Sequence, residues 1–333
     1  MKMNLWGDGM TGEKKMATRD AYGKALVELG EKYKDIVVLD ADLSESTRTR
    51  WFGEKYPERF FNVGIAEQNM IGIAAGLATC GKIPFVSTFA VFATGRAYNQ
   101  IRQSIAYPNL NVKIVASHGG ISVGADGVSH HCTEDVAVMR VLPNFTVIVP
   151  ADAVETKETI KAVVEHKGPV YVRLGRPPVP VIFDEDYSYK GRKLKFEIGK
   201  AVTLEDGEDV TVVANGIMVY FALKAKEQLE KEGVSVRVID MHTVKPVDVE
   251  TLEKAARETG AIVTAEEHSV IGGLGGAVAE TLVQVYPVPM ELVGIKDVFA
   301  ESAHSGDELL KKYGCTDKDI VKAVKRVLER KKT

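Results

Sequence analysis

The sequence predicts an α/β protein built as two three-layer α/β/α units. Short, continuous apolar runs of strand length, such as Ile36-Val37-Val38-Leu39, alternate with segments of helical periodicity. That alternation means parallel strands covered by helices on both faces. A proline cluster at Pro177, Pro178 and Pro180, followed by the polar stretch 184–195, breaks the alternation and reads as a linker. The length, 333 residues, suits two domains, each able to bury its own core.

Composition narrows the class. The chain is 45% hydrophobic and 27% charged, as ordinary soluble globular proteins are. A net charge of −3, with both signs interspersed, leaves no footprint for a nucleic-acid partner. The apolar stretches are too short and too punctuated by glycine to span a membrane. Lys2, Lys14 and Lys15 flank no apolar core, so no signal peptide is expected. Cys80, Cys132 and Cys315 are spaced for neither a zinc site nor a disulfide framework, which fits a cytoplasmic setting.

The elements follow in order. Residues 1–15 are polar and glycine-rich, expected to be flexible. Thr18 can cap a helix with Tyr22, Ala25, Leu26 and Leu29 on one face. The strand at 36–39 runs into Asp40-Ala41-Asp42. Next, Phe60-Phe61-Asn62-Val63 reads as a buried strand, and after Gly64 the spacing of Ile65, Met70, Ile71, Ala74 and Leu77 becomes helical. Glu67 therefore sits at a strand-to-helix turn among apolar neighbours, where a first-turn acid also suits the helix dipole. Further strands are expected at 84–89, 112–117, 146–150 and 170–174, with helices near 93–107, 133–142 and 153–166 and a glycine-rich loop at 118–127. Ligands of parallel sheets bind beyond the strands' carboxyl ends. Asp42, Phe89, His118 and Arg176 fall at or just past such ends and describe a rim. After the linker, strands at 210–214, 234–239, 261–265 and 290–294 make a second unit. There, Gly272-Gly273-Leu274-Gly275-Gly276 opens a helix reaching Val285. This turn would either hold an anion or let two backbones pack closely, and without a Lys or acid partner packing is favoured.

Several ordered motifs then match a family. These are Ala17-Thr18-Arg19, Ala41-Asp42-Leu43-Ser44, Gly64 to Met70, Thr88-Phe89-Ala90-Val91-Phe92, Gly124 to His130 with Glu134-Asp135 and Leu142-Pro143-Asn144, and Glu267-His268-Ser269 with the glycines after it. Over 17–327 the chain resembles the C-terminal half of transketolase: a thiamine-diphosphate pyrimidine-binding fold followed by the smaller transketolase C-terminal domain. The implied division is a flexible segment at 1–15, the pyrimidine-binding domain at 16–182, a linker at 183–197 and the C-terminal domain at 198–333.

The resemblance implies roles residue by residue. Glu67 matches the carboxylate that hydrogen-bonds the aminopyrimidine of thiamine diphosphate and so promotes formation of the ylid that attacks a ketose carbonyl. Phe89 and Phe92 match aromatics packed on that pyrimidine, although aromatics at this spacing are more often plain core. Gly95 replaces a further aromatic found in some members, a space that Tyr98 would partly fill. Asp42 matches a residue lining the cofactor pocket. His130 matches a position near the reacting carbonyl, where it would hydrogen-bond a developing alkoxide or move a proton, while His131 is expected to be solvated or to cap the next helix. Asp126 matches a contact to a substrate hydroxyl. Arg19, Ser46, His118 and Arg176 match the grip on a sugar phosphate, whose dianion suits guanidinium and imidazole donors.

The family's metal and diphosphate motif opens with Gly-Asp-Gly and closes on an Asn. Gly7-Asp8-Gly9 follows no buried strand, and Asp35 and Ile36 stand at the closing distance, so it reads as a chance match. No metal ligand is assigned to this chain. The resemblance thus implies a split enzyme of pentose phosphate metabolism. A separate N-terminal transketolase subunit would supply the Mg²⁺ and diphosphate site, and two chains of each kind would form a heterotetramer. The reaction would move a two-carbon ketol unit from a ketose phosphate to an aldose phosphate. A 1-deoxyxylulose-5-phosphate synthase, a 2-oxoacid dehydrogenase beta subunit and a non-catalytic scaffold share the layout and stay open as alternatives.

Overall fold

In the computed structural model, residues 7–8 and 14–332 are described. They fall into two units: one runs through Gly119 and over Val138–Phe196, the other over Gly120–Ala137 and from Glu197 onward. The mixed α/β architecture expected from the alternating pattern is present in both.

The first unit opens with β1 (Gly7–Asp8) and β2 (Lys14–Ala17), paired antiparallel. Its main sheet comprises β3 (Ile36–Asp40), β4 (Phe60–Asn62), β5 (Ile83–Ser87), β6 (Lys113–Ala116), β7 (Thr146–Ile148) and β8 (Val170–Arg173). All pairs are parallel, in the order β7-β8-β6-β5-β3-β4. Every residue of β3, β6 and β8 is buried, which is why these strands read as apolar runs, interrupted only by Asp40, Lys113 and Arg173 at their ends. Because the strands are parallel, their carboxyl ends share one edge, and the loops leaving Asp40, Asn62, Ser87, Ala116 and Arg173 form a common rim. The Thr18–Lys32 helix buries Ala21, Tyr22, Ala25 and Leu26, with the Tyr22 hydroxyl 2.7 Å from Ser87 Oγ on β5.

Several expectations change in this unit. Thr18 is not a cap: the N-cap is Ala17, and Thr18 Oγ1 accepts from Gly175 N at 3.0 Å. Lys14 and Lys15, expected in a flexible segment, lie in β2, while 1–6 and 9–13, with Gly9 of the Gly-Asp-Gly match, fall outside the described residues. The proline stretch forms β9 (Pro178–Pro180), antiparallel to β2, which suits prolines because an edge strand need not donate along its free side. The polar stretch after it is tied down rather than a free linker. Buried Asp152 accepts from Ile182 N and Phe183 N, and Tyr187 donates to buried Glu155 at 2.8 Å. The segment expected as a helix over 93–107 is wound wider, as π-helical turns at Phe92–Arg96 and Ile101–Ala106 around a short α turn at Tyr98–Gln100.

The second unit holds a sheet with neighbours in the order Val202–Glu205, Val236–Asp240, Val210–Ala214, Ile262–Ser269, Met290–Ile295. The last four are mutually parallel, and Val202–Glu205 is an antiparallel edge strand the apolar pattern does not announce. Helices at Met218–Glu230, Val249–Thr259, Leu274–Val285 and Asp317–Lys331 accompany it. Gly120–Ala137, expected inside the first domain, groups with this unit for a visible reason. Glu267, 7% exposed on the Ile262–Ser269 strand, accepts from Ile121 N at 2.7 Å and Ser122 N at 2.6 Å, and Ser269 N donates to Thr133 O.

Candidate functional site

The rim of the first unit is built loop by loop. β3 ends in Asp40, fully buried, which accepts from Leu43 N at 2.6 Å, Thr47 Oγ1 at 2.7 Å and Thr49 Oγ1 at 2.8 Å. Burial pushes the Asp40 carboxyl above its usual range, and the three donors oppose that shift. They fasten the turn that carries Asp42 and Ser46. Asp42, exposed and left-handed at φ 64, donates its N–H to Asn62 Oδ1 at 3.1 Å and accepts from Asn62 Nδ2 at 3.2 Å. Asn62 Oδ1 also accepts from Gly64 N at 3.0 Å, so the loops after β3 and β4 are stitched together just before Glu67.

Glu67 opens the Glu67–Thr79 helix and is 4% exposed. Its Oε1 lies 2.8 Å from Arg96 Nη1, and the Arg96 guanidinium stacks 4.0 Å from the Phe92 ring centroid. Phe92 stacks on Phe89, centroids 5.6 Å apart at 18°, and Phe89 stacks on the His118 imidazole at 3.7 Å and 21°. The carboxylate, two rings and an imidazole therefore form one continuous series of contacts running across the loops after β4, β5 and β6. A flat, N–H-donating group that touches Glu67 and a face of Phe92 at once is thus accommodated, because Arg96 already does so. That is the shape of an aminopyrimidine and, with its ring nitrogen protonated, its donor pattern, so the residues present fit such a ring.

Of the residues expected to grip a phosphate, Arg19 Nη1 donates to the Ser46 carbonyl at 2.9 Å. Gly175, next to Arg176, bonds Thr18, next to Arg19, and Gly119, next to His118, donates to Leu174 O at 3.0 Å. These four positions consequently belong to adjoining loops of one rim. His118 is 1% exposed with φ 62, its Nδ1 2.8 Å from Ser117 Oγ, so its ring belongs first to the aromatic stack.

Asp126 and His130 lie in the segment grouped with the second unit and are not among the residues the first unit brings together. His130 Nδ1 lies 2.9 Å from Ser129 Oγ. His131, expected to be solvated or capping, is instead buried at 6% exposure, and burial holds its pKa below the usual imidazole value. Glu267 fixes the start of this segment: at Gly120, φ 82, a Cβ would stand 2.0 Å from Glu267 Oε1. The glycine turn at 272–276 holds the chain's own anion. Glu266 accepts from Leu274 N at 2.7 Å and Gly275 N at 2.8 Å, and a Cβ on Gly273 would stand 2.1 Å from its Oε2.

Sequence reasoning missed Asp40, Arg96 and the roles of Glu266 and Glu267. Arg96 follows Phe92 by four residues and was findable as a cation beside an aromatic. Among the described residues no group of three or more His, Cys, Asp or Glu side chains is placed to hold a metal ion, and no helix is long and apolar enough to cross a membrane.

Residues 14–181 match the transketolase pyrimidine-binding domain and residues 199–320 the transketolase C-terminal domain. The chain is 50% identical over 307 residues to a protein of Methanocaldococcus jannaschii described as a transketolase C-terminal section, covering 92% of this chain and 94% of that one. It is 45% identical over 313 residues to SqwH, a subunit of the 6-deoxy-6-sulfo-D-fructose transketolase of Clostridium sp. (94% and 95% covered). One of the subunits of the apulose-4-phosphate transketolase of Phocaeicola vulgatus is 41% identical over 307 residues (92% and 96% covered). Among solved structures the chain is similar to a split-gene transketolase, described as an inactive beta4 tetramer, with TM-score 0.87, 57% identity and 95% and 99% of the two chains covered. It is also similar to the transketolase of Leishmania mexicana, with TM-score 0.78, 27% identity, and 95% of this chain but 46% of that one covered. With both domains matched over most of its length and these relatives alongside, this chain belongs to the transketolase family.

Proposed function

We propose that this chain is the C-terminal subunit of a split transketolase, active together with a separate N-terminal subunit. The observation that carries the reading is the contact series in the first unit: a buried carboxylate at a helix start, joined through one flat donor to a stacked aromatic pair. Thiamine diphosphate, when bound, supplies a nucleophilic carbon and an electron sink for ketol transfer. Glu67 would hold a proton at the aminopyrimidine ring nitrogen, and its burial excludes competing water. Phe89 and Phe92 would fix the plane of that ring, and Asp42 would line its pocket. His130 would donate a hydrogen bond to the oxygen of the reacting carbonyl, and Asp126 would orient a substrate hydroxyl.

Arg19, Ser46, His118 and Arg176 would bind the terminal phosphate of the ketose and aldose. The substrate pair is a ketose phosphate such as xylulose 5-phosphate and an aldose phosphate. A sulfonated ketose is the second reading, favoured by the 45% identity to a sulfo-fructose transketolase subunit. The chain would divide into a pyrimidine-binding domain over 16–182, a connecting stretch at 183–197 and a C-terminal domain over 198–333. The N-terminal partner would bring the Mg²⁺ ligands and the diphosphate site, in an assembly of two chains of each kind.

The test is ketol transfer from xylulose 5-phosphate to ribose 5-phosphate by the two mixed subunits, with thiamine diphosphate and Mg²⁺. The wild-type mixture is expected to turn over, and Glu67→Ala is expected to lower kcat by at least about 10² while the complex still forms. A Glu67→Ala mixture keeping more than a few per cent of activity would falsify the role given to this carboxylate.

A further inference from the structure

Arg96 is the point at which two contacts meet. Its Nη1 is 2.8 Å from Glu67 Oε1, and its guanidinium carbon is 4.0 Å from the centroid of Phe92. The partners differ in freedom: the Glu67 side chain is 5% exposed, whereas that of Arg96 is 49% exposed. The Arg96 backbone is itself held, since Gln68 Nε2 donates to its carbonyl at 3.0 Å, and it closes the π-helical turn Phe92–Arg96. The half-exposed guanidinium is therefore the part that can swing away, while carboxylate and ring stay.

A guanidinium and an aminopyrimidine protonated at its ring nitrogen are both planar, both present N–H donors along an edge and both stack on aromatic faces. We propose that Arg96 guards the pyrimidine site: its guanidinium and the cofactor's aminopyrimidine compete for Glu67 and for the Phe92 face, so the cofactor enters by displacing it. The inference rests on the thiamine-diphosphate reading above and adds a residue to it. Arg96 thereby keeps a buried carboxylate partnered whenever the ring is elsewhere, because a buried acid without a donor is unfavourable. It also lowers the apparent affinity for the cofactor by the fraction of time the pair is closed. A pair closed about nine-tenths of the time weakens binding about tenfold.

The experiment is calorimetric titration of thiamine diphosphate, with Mg²⁺ present, into the assembled complex of this chain and its N-terminal subunit. Arg96→Gln, which keeps the stem but removes the cation, is expected to bind the cofactor about tenfold more tightly than wild type. Arg96→Lys, which keeps the charge but lacks the planar fork, is expected to fall between the two. A dissociation constant for Arg96→Gln that is weaker than wild type, or within twofold of it, overturns the proposal. So does an Arg96→Lys value weaker than wild type, which makes the second variant decisive should the first fail to assemble. Wild-type complex that takes up no thiamine diphosphate would instead overturn the cofactor reading itself, and the guard with it. Tight wild-type uptake with no gain in the variants removes the guard alone.

Discussion

Arg176 stands two residues beyond Leu174, in the loop leaving β8, beside the hydrogen bond from Gly175 N to Thr18 Oγ1 that ties this loop to the start of the Arg19 helix. On the proposed phosphate assignment, two arginines from loops so joined would approach one phosphate from different directions, which would give the grip geometric selectivity that a single surface arginine lacks. Removing one should affect substrate binding more than chemistry, because the phosphate is remote from the carbonyl that reacts. In the assembled enzyme, Arg176→Ala is expected to raise KM for a phosphorylated ketose by about ten- to a hundredfold, the equivalent of one charge-assisted hydrogen bond of about 1.5–3 kcal/mol. The KM for an uncharged ketose donor should hardly move. Steady-state kinetics on the two donors decide it, and an equal loss on both would refute the phosphate assignment.

The elements show how loops are made rigid enough to carry such residues. Glu267 projects from a central strand of the second unit and takes both the Ile121 and Ser122 amides on one oxygen, anchoring the segment that continues to Asp126 and His130. Glu267→Ala would strip two buried amides of their acceptor and is expected to destabilise the chain by about 3 kcal/mol. Hydrogen exchange should then quicken at Ile121 and Ser122 but not at Leu274 and Gly275, which Glu266 holds independently. Unchanged protection at Ile121 would show that the anchor lies elsewhere. Burial also decides which elements the sequence makes legible. β3, β6 and β8 were legible because full burial on both faces makes a strand continuously apolar. Glu67, Phe89 and Phe92 stood out as a site only through the family resemblance: β4, expected to be buried ahead of Glu67, is partly exposed, and aromatics three apart read by themselves as core. Val202–Glu205 was not, since a half-exposed edge strand mixing Thr and Glu carries no apolar run. Nor was the docking of 182–187, whose partners Asp152 and Glu155 come some thirty residues earlier, or the π-helical winding of Phe92–Arg96, whose side-chain pattern looks α-helical.

At the scale of the whole molecule, the chain matches nearly all of several relatives described as transketolase sections or subunits, yet only 46% of the transketolase of Leishmania mexicana. A one-chain enzyme of that kind has a further half, which this chain does not match. The 57% identical structure is a tetramer of β subunits described as inactive. On the proposed split-subunit reading, this chain by itself is expected to show no ketol transfer, even with thiamine diphosphate and Mg²⁺ in excess. Adding the N-terminal subunit should, on the same reading, give particles holding two chains of each kind and switch the reaction on, since the diphosphate and metal end of the cofactor would then have ligands. Light scattering and the coupled assay on the same samples would follow both changes together. Turnover by this chain alone would mean that it carries its own metal and diphosphate site, whereas a mixed complex that forms and stays silent on sugar phosphates would shift the assignment toward the sulfonated donors.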